Sequence, residues 1–267
     1  MRDYLYSFEI IGSDSSFIKA YVDDALPRFL HTIDMLAGHT PKRALEIGGN
    51  PYLISILLKN LYDINLTVTN FFNQSVYDKD ITKGCQVIKS EKFMENYSFE
   101  YYGLNVELSE YPFDNETFDT VFFCEVLEHI VVDPLQCFKK LYRVLKPGGI
   151  MVLTTPNAVR LINFAHMLAG KNFFDRYHPN NGIYGRHNRE FTLTEVTHFL
   201  KAEGFEIEKA VTLDRYNYDI SPMIVDSYEE QTKLPWTGSQ LREALASAGG
   251  DANNRSDNLY VVARRPS

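Results

Sequence analysis

Cysteine is scarce in this chain of 267 residues, which has only Cys85, Cys124 and Cys137. No two of them form a C-x-x-C pair, and an odd number cannot be fully paired within one chain. The pattern argues against a disulfide framework and against a zinc knuckle. We expect three reduced thiols, as in a cytoplasmic protein.

Positive charge is also in short supply. The chain has 27 Lys and Arg against 35 Asp and Glu, a formal net charge of −8. Proteins that bind nucleic acid through phosphate contacts need a basic face, so this balance argues against such a partner, although it leaves room for a local basic patch.

Long apolar runs are missing as well. Acids and a glycine interrupt residues 1–16, where a signal peptide would need a continuous apolar stretch. No window reaches the length of a membrane span. We therefore expect a cytoplasmic protein with no membrane partner.

Predicted strands and helices alternate along most of the chain. The predicted strands are 43–49, 64–71, 118–124, 150–157, 204–213 and 258–265, with another candidate within 99–108. The predicted helices are two within 14–40 separated by Pro27, one opening at Asn50-Pro51, one over 133–145 ended by the glycines of 146–149, one capped by Thr192 and Glu195, and one near 238–248. This alternation predicts a Rossmann-like, doubly wound α/β fold, with a mostly parallel sheet and helices on both faces.

A glycine turn joins the first of these strands to a helix, in the stretch "ALEIGGNPY" (44–52). In a doubly wound sheet, ligands bind outside the carboxyl ends of the strands, so Gly48 and Gly49 would allow the backbone to approach a nucleoside. Two glycines alone are equally consistent with a simple turn. The dinucleotide fingerprint G-x-G-x-x-G is absent, which argues against a dehydrogenase.

Three motifs together resemble those of class I S-adenosylmethionine-dependent methyltransferases. They are "LEIGG" (45–49), "YPFDNETFDTVFFCEVLEH" (111–129) and "RVLKPGGIMVLTTPN" (143–157), in that family's order and spacing. The resemblance implies that S-adenosylmethionine is the cofactor. It divides the single domain, 1–267, into an N-terminal helical cap (1–42), a cofactor-binding core (43–157), an acceptor-side lid (158–203) and C-terminal strands with an insertion (204–267).

The resemblance also implies roles for single residues in cofactor binding. Glu46, Gly48 and Gly49 would line the methionine end of the cofactor, and Cys124 would be a further contact. Asn70 stands where the family usually has an acid for the ribose hydroxyls, and Asn105 where an acid commonly accepts from the adenine amino group. Both are departures from the family pattern, because an amide keeps an acceptor oxygen but loses the charge.

The segment "CEVLEHI" (124–130) places two carboxylates and an imidazole directly after a buried strand. In a helical turn, Glu125, Glu128 and His129 would lie within an arc of roughly 100°. Carboxylate oxygens with one imidazole suit a divalent cation, and the imidazole moves the preference from Mg²⁺ toward Mn²⁺, Co²⁺ or Zn²⁺. An alternative is that Glu128 and His129 only hydrogen-bond loops around the cofactor.

A later segment, "YGRHNREFTLTEV" (184–196), supplies a second histidine. The chain is similar here to small-RNA 3′-terminal 2′-O-methyltransferases, and its E-x-x-E-H turn to ubiquinone-pathway O-methyltransferases. That resemblance implies a metal site of four residues: Glu125, Glu128, His129 and His187.

Other interpretations of the later segment stay open. His129 and His187 are also the candidate catalytic residues, and His187 could act as general base. The alternatives are that Arg186 and Arg189 clamp an acceptor phosphate or carboxylate, or that the loop is held by its own hydrogen bonds. Three aromatic residues could stack on a sugar ring or anchor the loop: Tyr177, His178 and Tyr184.

We therefore predict an S-adenosylmethionine-dependent O-methyltransferase assisted by Mg²⁺ or Mn²⁺. The pair "GGNPY" and "TNFF" resembles sugar- and polysaccharide-modifying methyltransferases, so the expected acceptor is a sugar, another diol-bearing small molecule or a glycan. The alternatives are a non-catalytic binding protein that keeps the fold, suggested by the amides at 70 and 105, and an RNA 2′-O-methyltransferase.

Overall fold

The computed structural model describes residues 1–72, 77–177, 182–227 and 230–267. Its strands are β1 (Glu9–Ile10), β2 (Arg43–Ile47), β3 (Asn65–Asn70), β4 (Thr82–Ser90), β5 (Glu95–Gly103), β6 (Phe118–Cys124), β7 (Leu145–Pro156), β8 (Glu206–Leu213), β9 (Ile224–Ser227), β10 (Glu230–Lys233) and β11 (Asn258–Arg264). Its α-helices are α1 (Arg2–Leu5), α2 (Ile18–Asp34), α3 (Leu53–Leu61), α4 (Pro134–Val144), α5 (Leu161–Leu168), α6 (Leu193–Ala202) and α7 (Gly238–Ser247).

Nine of these strands form one mixed sheet in the order β1-β4-β5-β3-β2-β6-β7-β11-β8. The central strands β5, β3, β2, β6 and β7 are parallel, and the antiparallel pairs lie toward the two margins. The α/β, Rossmann-like fold is thereby confirmed. From β2 the chain first builds outward through β3, then returns to place β6 on the other side, so a switch point lies at the carboxyl ends of β2, β3 and β6.

Both faces of the sheet are covered, as its apolar central strands require. In β6, Val121 and Phe123 pack against the helices of one face, where Phe123 meets Phe138 of α4 at 5.9 Å between ring centroids. The intervening Phe122 packs on the other face with Met35 and Leu36, the two residues that directly follow α2. Each such fully buried side chain contributes about 1.5–3 kcal/mol, and their alternation fixes which face of the sheet each helix covers.

The N-terminal helices differ from the prediction. A single helix, α2, runs through Pro27 instead of breaking there. A proline in a helix interior costs about 3 kcal/mol, and the buried apolar side chains on both sides of it, Val22, Ala25 and Phe29 among them, offset that cost.

Two turns also differ from the prediction. The cap of α3 is Tyr52 in a left-handed conformation (φ 66°), not Asn50. Helix α4 ends before the glycines of 146–149, which belong to the start of β7. There a Cβ on Gly149 would lie 2.9 Å from the Asp119 carbonyl oxygen, so the glycine serves a close approach of strands and not a helix end.

The polar stretch 73–95, left without a predicted strand, contains β4, which pairs with β5 as a hairpin. The strand sought within 99–108 is β5, displaced toward the N-terminus. The C-terminal strand β11 is the penultimate strand, between β7 and β8. No helix in the described ranges is both long and apolar enough to cross a membrane.

Candidate functional site

A pocket of about 390 Å³ opens at the switch point of the sheet. The glycine turn after β2, the end of β3 and the turn after β6 line it, and Tyr184 borders it from the segment that precedes α6. Its volume lies within the range of small-molecule sites, about 300–1,000 Å³. The predicted cofactor residues Gly48, Asn70 and Asn105 all line this pocket.

The glycine turn holds its shape through the backbone. The amides of Gly48 and Gly49 both donate to the carbonyl of Thr69, at 2.9 and 3.2 Å. Gly48 has a left-handed conformation, φ 73°, which glycine adopts without strain. A Cβ on Gly49 would lie 2.5 Å from Cγ1 of Val68, so no larger residue fits there without displacing the core.

Asn70 is engaged with the same turn. Its Oδ1 accepts from the amide of Asn50 at 2.9 Å, and its Nδ2 donates to the hydroxyl of Tyr52 at 2.7 Å. Tyr52 is itself fully buried and stacks on Phe99 at 5.1 Å. The Asn70 amide therefore braces the glycine turn, while remaining in the pocket wall.

Asn105 has a similar double role. Its Oδ1 accepts from the amides of Glu107 and Leu108, which forms an Asx turn, and its Nδ2 donates to the Tyr184 hydroxyl at 3.1 Å. The same hydroxyl donates to the Glu107 carboxylate at 3.0 Å. Tyr184, considered above as a sugar-stacking residue, thus ties the segment that carries His187 to the pocket wall.

Glu128, His129 and His187 converge beside the pocket. One potential ligand atom from each lies within 4.8 Å of the others, and the two imidazole rings are 5.2 Å apart. Nε2 of His129 is 3.9 Å from Oε1 of Glu128. His129 lines the pocket, so the group lies at the edge of this pocket.

Both imidazoles are oriented through their other nitrogen. Nδ1 of His129 lies 2.9 Å from the carbonyl of Arg186, which can only accept, so this nitrogen carries the proton. Nδ1 of His187 lies 3.0 Å from the Glu190 carboxylate. Arg160 and Asn163 hold that carboxylate in turn, at 2.6 and 3.0 Å. In each histidine these contacts engage Nδ1 and not Nε2, and metal-ligating histidines are typically oriented in this way through their second nitrogen.

Burial and neighbouring charges shift the pKa values of Glu128, His129 and His187. Burial raises the pKa of Glu128 to about 8, with a further contribution from the charge of Glu125. Burial lowers the pKa of His129, as does the charge of His187. For His187, burial lowers the pKa, but the hydrogen bond to Glu190 and the charge of Glu128 outweigh it and leave the pKa above its ordinary value.

Glu125 is not part of this convergence, which corrects the prediction of a four-residue ligand set. The helical turn is a short 3₁₀ helix, Leu127–His129, and Glu125 precedes it in a left-handed conformation (φ 54°). Its carboxylate accepts from Thr154 at 2.8 Å and from Asn258 at 3.0 and 3.1 Å. The assumed regular helix would have turned it toward Glu128.

Arg186 and Arg189, which flank His187 and Asn188, make contacts within their own region of the chain. Nε of Arg186 donates to Asn188, and its guanidinium lies 4.2 Å from the ring centroid of Tyr177. Arg189 donates to Glu195 at 2.7 Å. These contacts accord with a loop held by its own hydrogen bonds, while His178 lies outside the described residues.

The ionisation of Glu46 should make the stability of the protein depend on pH. Burial raises the pKa of this carboxyl to about 7, against the lowering effect of the Ser55 hydroxyl, which donates to it at 2.6 Å. The unfolded chain releases this proton near pH 4.5. The group's contribution to stability is therefore fully present below that pH and is lost as pH rises through about 7.

We expect Glu46→Gln to differ little from the parent near pH 5 and to be more stable by up to ~3 kcal/mol at pH 8. Urea unfolding at the two pH values, without cofactor, measures this difference. Glu100→Gln, at an exposed carboxyl, is the control. An equal stability difference at both pH values would contradict the assignment.

Comparison with known proteins supports the identity of this fold. Residues 65–153 match a family model described as a methyltransferase domain. A probable S-adenosylmethionine-dependent methyltransferase of Mycolicibacterium smegmatis is 34% identical over 101 residues, which are 38% of this chain and 34% of that protein. A crystal structure of an S-adenosylmethionine-dependent methyltransferase from Archaeoglobus fulgidus superposes with a TM-score of 0.56 at 14% identity, covering 94% of this chain and 100% of that one.

Over residues 65–153 the chain therefore resembles a methyltransferase domain. Another curated relative, cycloartenol-C-24-methyltransferase 1 of Oryza sativa subsp. japonica, is 25% identical over 201 residues, 72% of this chain and 50% of that protein. The chain thus spans about a third to a half of the length of the curated relatives that it matches.

Some residues that shape the candidate site were not predicted. Glu107 orients Tyr184, and Glu190, which lies in the same segment as His187, orients that histidine. Arg28 lies in α2 among the buried apolar positions and lines a small cavity beside the glycine turn. An arginine on an otherwise apolar helical face was the available signal for it.

Proposed function

We propose that this chain transfers the methyl group of S-adenosylmethionine to a hydroxyl of a sugar, another diol-bearing small molecule or a glycan, with a divalent cation held by Glu128, His129 and His187. The observation that carries the proposal is the convergence of these three side chains at the edge of the cofactor pocket, with both Nδ1 atoms oriented by acceptors. The rice relative is named for a carbon acceptor, so transfer to oxygen rests on the chemistry of this site.

The pocket fits the cofactor in size and in the character of its walls. The glycine turn allows close backbone approach at one end, and Asn70 and Asn105 present amides where a ribose and an adenine have polar groups. Because both amides also brace loops, the cofactor would share or displace those internal hydrogen bonds. This predicts a moderate affinity and not a tight one.

The donor set fits a cation with mixed nitrogen and oxygen ligands. Two neutral imidazoles and one carboxylate favour Mn²⁺, Co²⁺ or Zn²⁺ over Mg²⁺, which prefers oxygen. Glu128, His129 and His187 would hold such a cation, and the adjacent hydroxyls of a diol acceptor would supply further oxygen ligands. A bound divalent cation would lower the pKa of such a hydroxyl and fix its orientation.

The residues that line the pocket would position the acceptor hydroxyl relative to the methyl group. His129 and the glycine turn border the same pocket, so the acceptor at His129 would face the sulfonium end of the cofactor. In the transfer, the hydroxyl oxygen forms a bond to the methyl carbon as the sulfonium–carbon bond breaks, and S-adenosylhomocysteine leaves. If both Nε2 atoms are ligands, neither histidine can take the hydroxyl proton, which passes to solvent. Alignment of oxygen, methyl and sulfur supplies much of the acceleration.

A cation-free mechanism is a second candidate, favoured by the contact between His187 and Glu190. That carboxylate lies 3.0 Å from Nδ1 and would stabilise the protonated imidazole, so His187 could act as general base through Nε2. The two mechanisms differ in their response to metal removal.

Calorimetry with S-adenosylhomocysteine, followed by transfer assays with labelled S-adenosylmethionine, tests the proposal. The acceptors should include glycosides with a vicinal diol, the matching deoxy sugars and an RNA oligonucleotide with a 3′-terminal diol. We expect transfer to the diols, loss of transfer after EDTA and its return with Mn²⁺. Turnover unaffected by EDTA would favour His187 as base. Absence of cofactor binding at millimolar concentration would favour the non-catalytic alternative, and transfer to the RNA alone would overturn the acceptor class.

A further inference from the structure

Four buried side-chain atoms lack a hydrogen-bond partner within the described parts of the chain. They are Nε of Arg28, Nε of Arg215, Oδ1 of Asn258 and the hydroxyl of Tyr260. Asn258 donates a hydrogen bond to Glu125, and Nε of Arg28 lies 3.6 Å from Oε2 of Glu125. The charge of Glu125 also acts on Tyr260 and Arg215. Leaving a buried polar atom unpaired costs about 1–3 kcal/mol, so their concentration around Glu125 indicates a place prepared for a polar ligand.

Arg28 is the best placed of the four to bind such a ligand. Its residue is only 7% exposed, and its closest anionic neighbour, Oε2 of Glu125, is beyond hydrogen-bond distance. Glu125 is already held by Thr154 and Asn258. A hydroxyl of Tyr21 at 3.5 Å is a weak additional contact. The guanidinium therefore keeps unused donors in a buried position.

These donors face a second, smaller cavity of about 80 Å³. Arg28, Glu46, Gly49, Cys124 and Glu125 are among the residues that line it. It shares Ile47, Gly48, Asn50 and Glu125 with the larger pocket, so the two spaces meet at the glycine turn. A ligand whose bulk fills the larger pocket can extend one small end past Gly48 into the smaller cavity.

We propose that Arg28 binds the carboxylate of the cofactor's amino-acid end in this smaller cavity. The inference rests on the proposed use of S-adenosylmethionine. The cavity offers one guanidinium and two carboxyls, those of Glu46 and Glu125, which match the carboxylate and the ammonium of an α-amino acid. The planar fork of arginine suits bidentate contact with a carboxylate. Arg28 of α2, which lies outside the glycine motif, would thus favour binding of the complete cofactor over a nucleoside that lacks the amino acid.

The test compares two ligands that differ only at that end. S-adenosylhomocysteine carries the amino acid, and 5′-methylthioadenosine lacks it. By calorimetry, we expect Arg28→Met to weaken S-adenosylhomocysteine binding by about 10- to 100-fold and to leave 5′-methylthioadenosine within about twofold. Arg28→Lys, which keeps the charge but loses the fork, should lie between. Arg265→Met, at a largely buried arginine that binds backbone carbonyls far from the pocket, controls for general destabilisation.

Each outcome separates the inference from the function on which it rests. Parent protein that binds neither ligand contradicts the proposed function itself. Parent protein that binds S-adenosylhomocysteine, with equal losses for both ligands or no loss in the Arg28 variants, overturns the role of Arg28 alone. If Arg28→Met does not fold, the ratio of the two affinities in Arg28→Lys decides, and an unchanged ratio counts against the proposal.

Discussion

Replacing Glu128 with Gln is expected to lower methyl transfer at least about 100-fold and to abolish tight Mn²⁺ binding. A catalytic cation contributes several kcal/mol, and each 1.36 kcal/mol is a factor of ten in rate. Gln retains the shape of the side chain and a partner for Thr155, which donates to Glu128 at 2.9 Å, so the fold should persist. Calorimetry with Mn²⁺ and initial rates at saturating cofactor measure both effects.

Glu190→Gln and Glu195→Gln make the matched comparison. Glu190 orients His187 without being a ligand, so its loss should weaken Mn²⁺ binding by about 10- to 100-fold. Glu195 belongs to the capping box of α6, and its replacement should affect stability while leaving Mn²⁺ affinity unchanged. Parent-like Mn²⁺ affinity in both Glu128→Gln and His187→Ala would show that the three side chains do not form a metal site.

Gly49→Ala is expected to have the largest effect on the cofactor loop. Its Cβ would lie 2.5 Å from Cγ1 of Val68, a side chain with no exposed surface that cannot move aside freely. We expect a loss of about 1–3 kcal/mol in stability. We also expect at least about tenfold weaker S-adenosylhomocysteine binding, as 1.4 kcal/mol of loop displacement would cause. Urea unfolding and calorimetry provide the two measurements.

The second-site variant Val68→Ala supplies the rescue. In the Gly49→Ala background it restores space, so the pair should recover cofactor affinity and show a favourable coupling free energy in a double-mutant cycle. Gly182→Ala is the matched control, because among the described residues no atom lies within 4 Å of a Cβ built there. Additive effects of the two substitutions would mean that the close contact with Val68 does not shape the loop.

Much of the fold was accessible from local patterns. The apolar β6 segment and the one-sided helix α4 are visible in the sequence, and so is the capping box of Thr192 and Glu195, which the structure confirms. The hairpin of β4 and β5 was missed because strands at a sheet margin carry polar residues on their exposed positions. Pro27 was misinterpreted because the low helix propensity of proline predicts a break in the helix. Packing on both sides of Pro27 keeps α2 continuous.

In the candidate site, too, local motifs could be read from the sequence, whereas contacts between distant residues could not. Glu128 and His129 are neighbours in a recognisable motif, and the resemblance supplied His187, so these three side chains could be selected from the sequence; that they bind a metal stays a prediction. The orientation of Glu125 could not, because it depends on Asn258, which lies 133 positions away in the chain. Arg28 was overlooked for the same reason, because its neighbour Glu125 lies 97 positions away in the chain.

The amino-acid sequence by itself determined the alternation of strands and helices, the glycine turn and the kinds of side chain available near it, because periodicity and turn chemistry act between neighbours in the chain. Only the tertiary structure decided which of those side chains face one another. It turned Glu125 toward Arg28 and Asn258, and left Glu128 with two histidines whose Nδ1 atoms are bound elsewhere. Partners in a buried polar group are chosen by contacts between distant segments, and no local pattern records them.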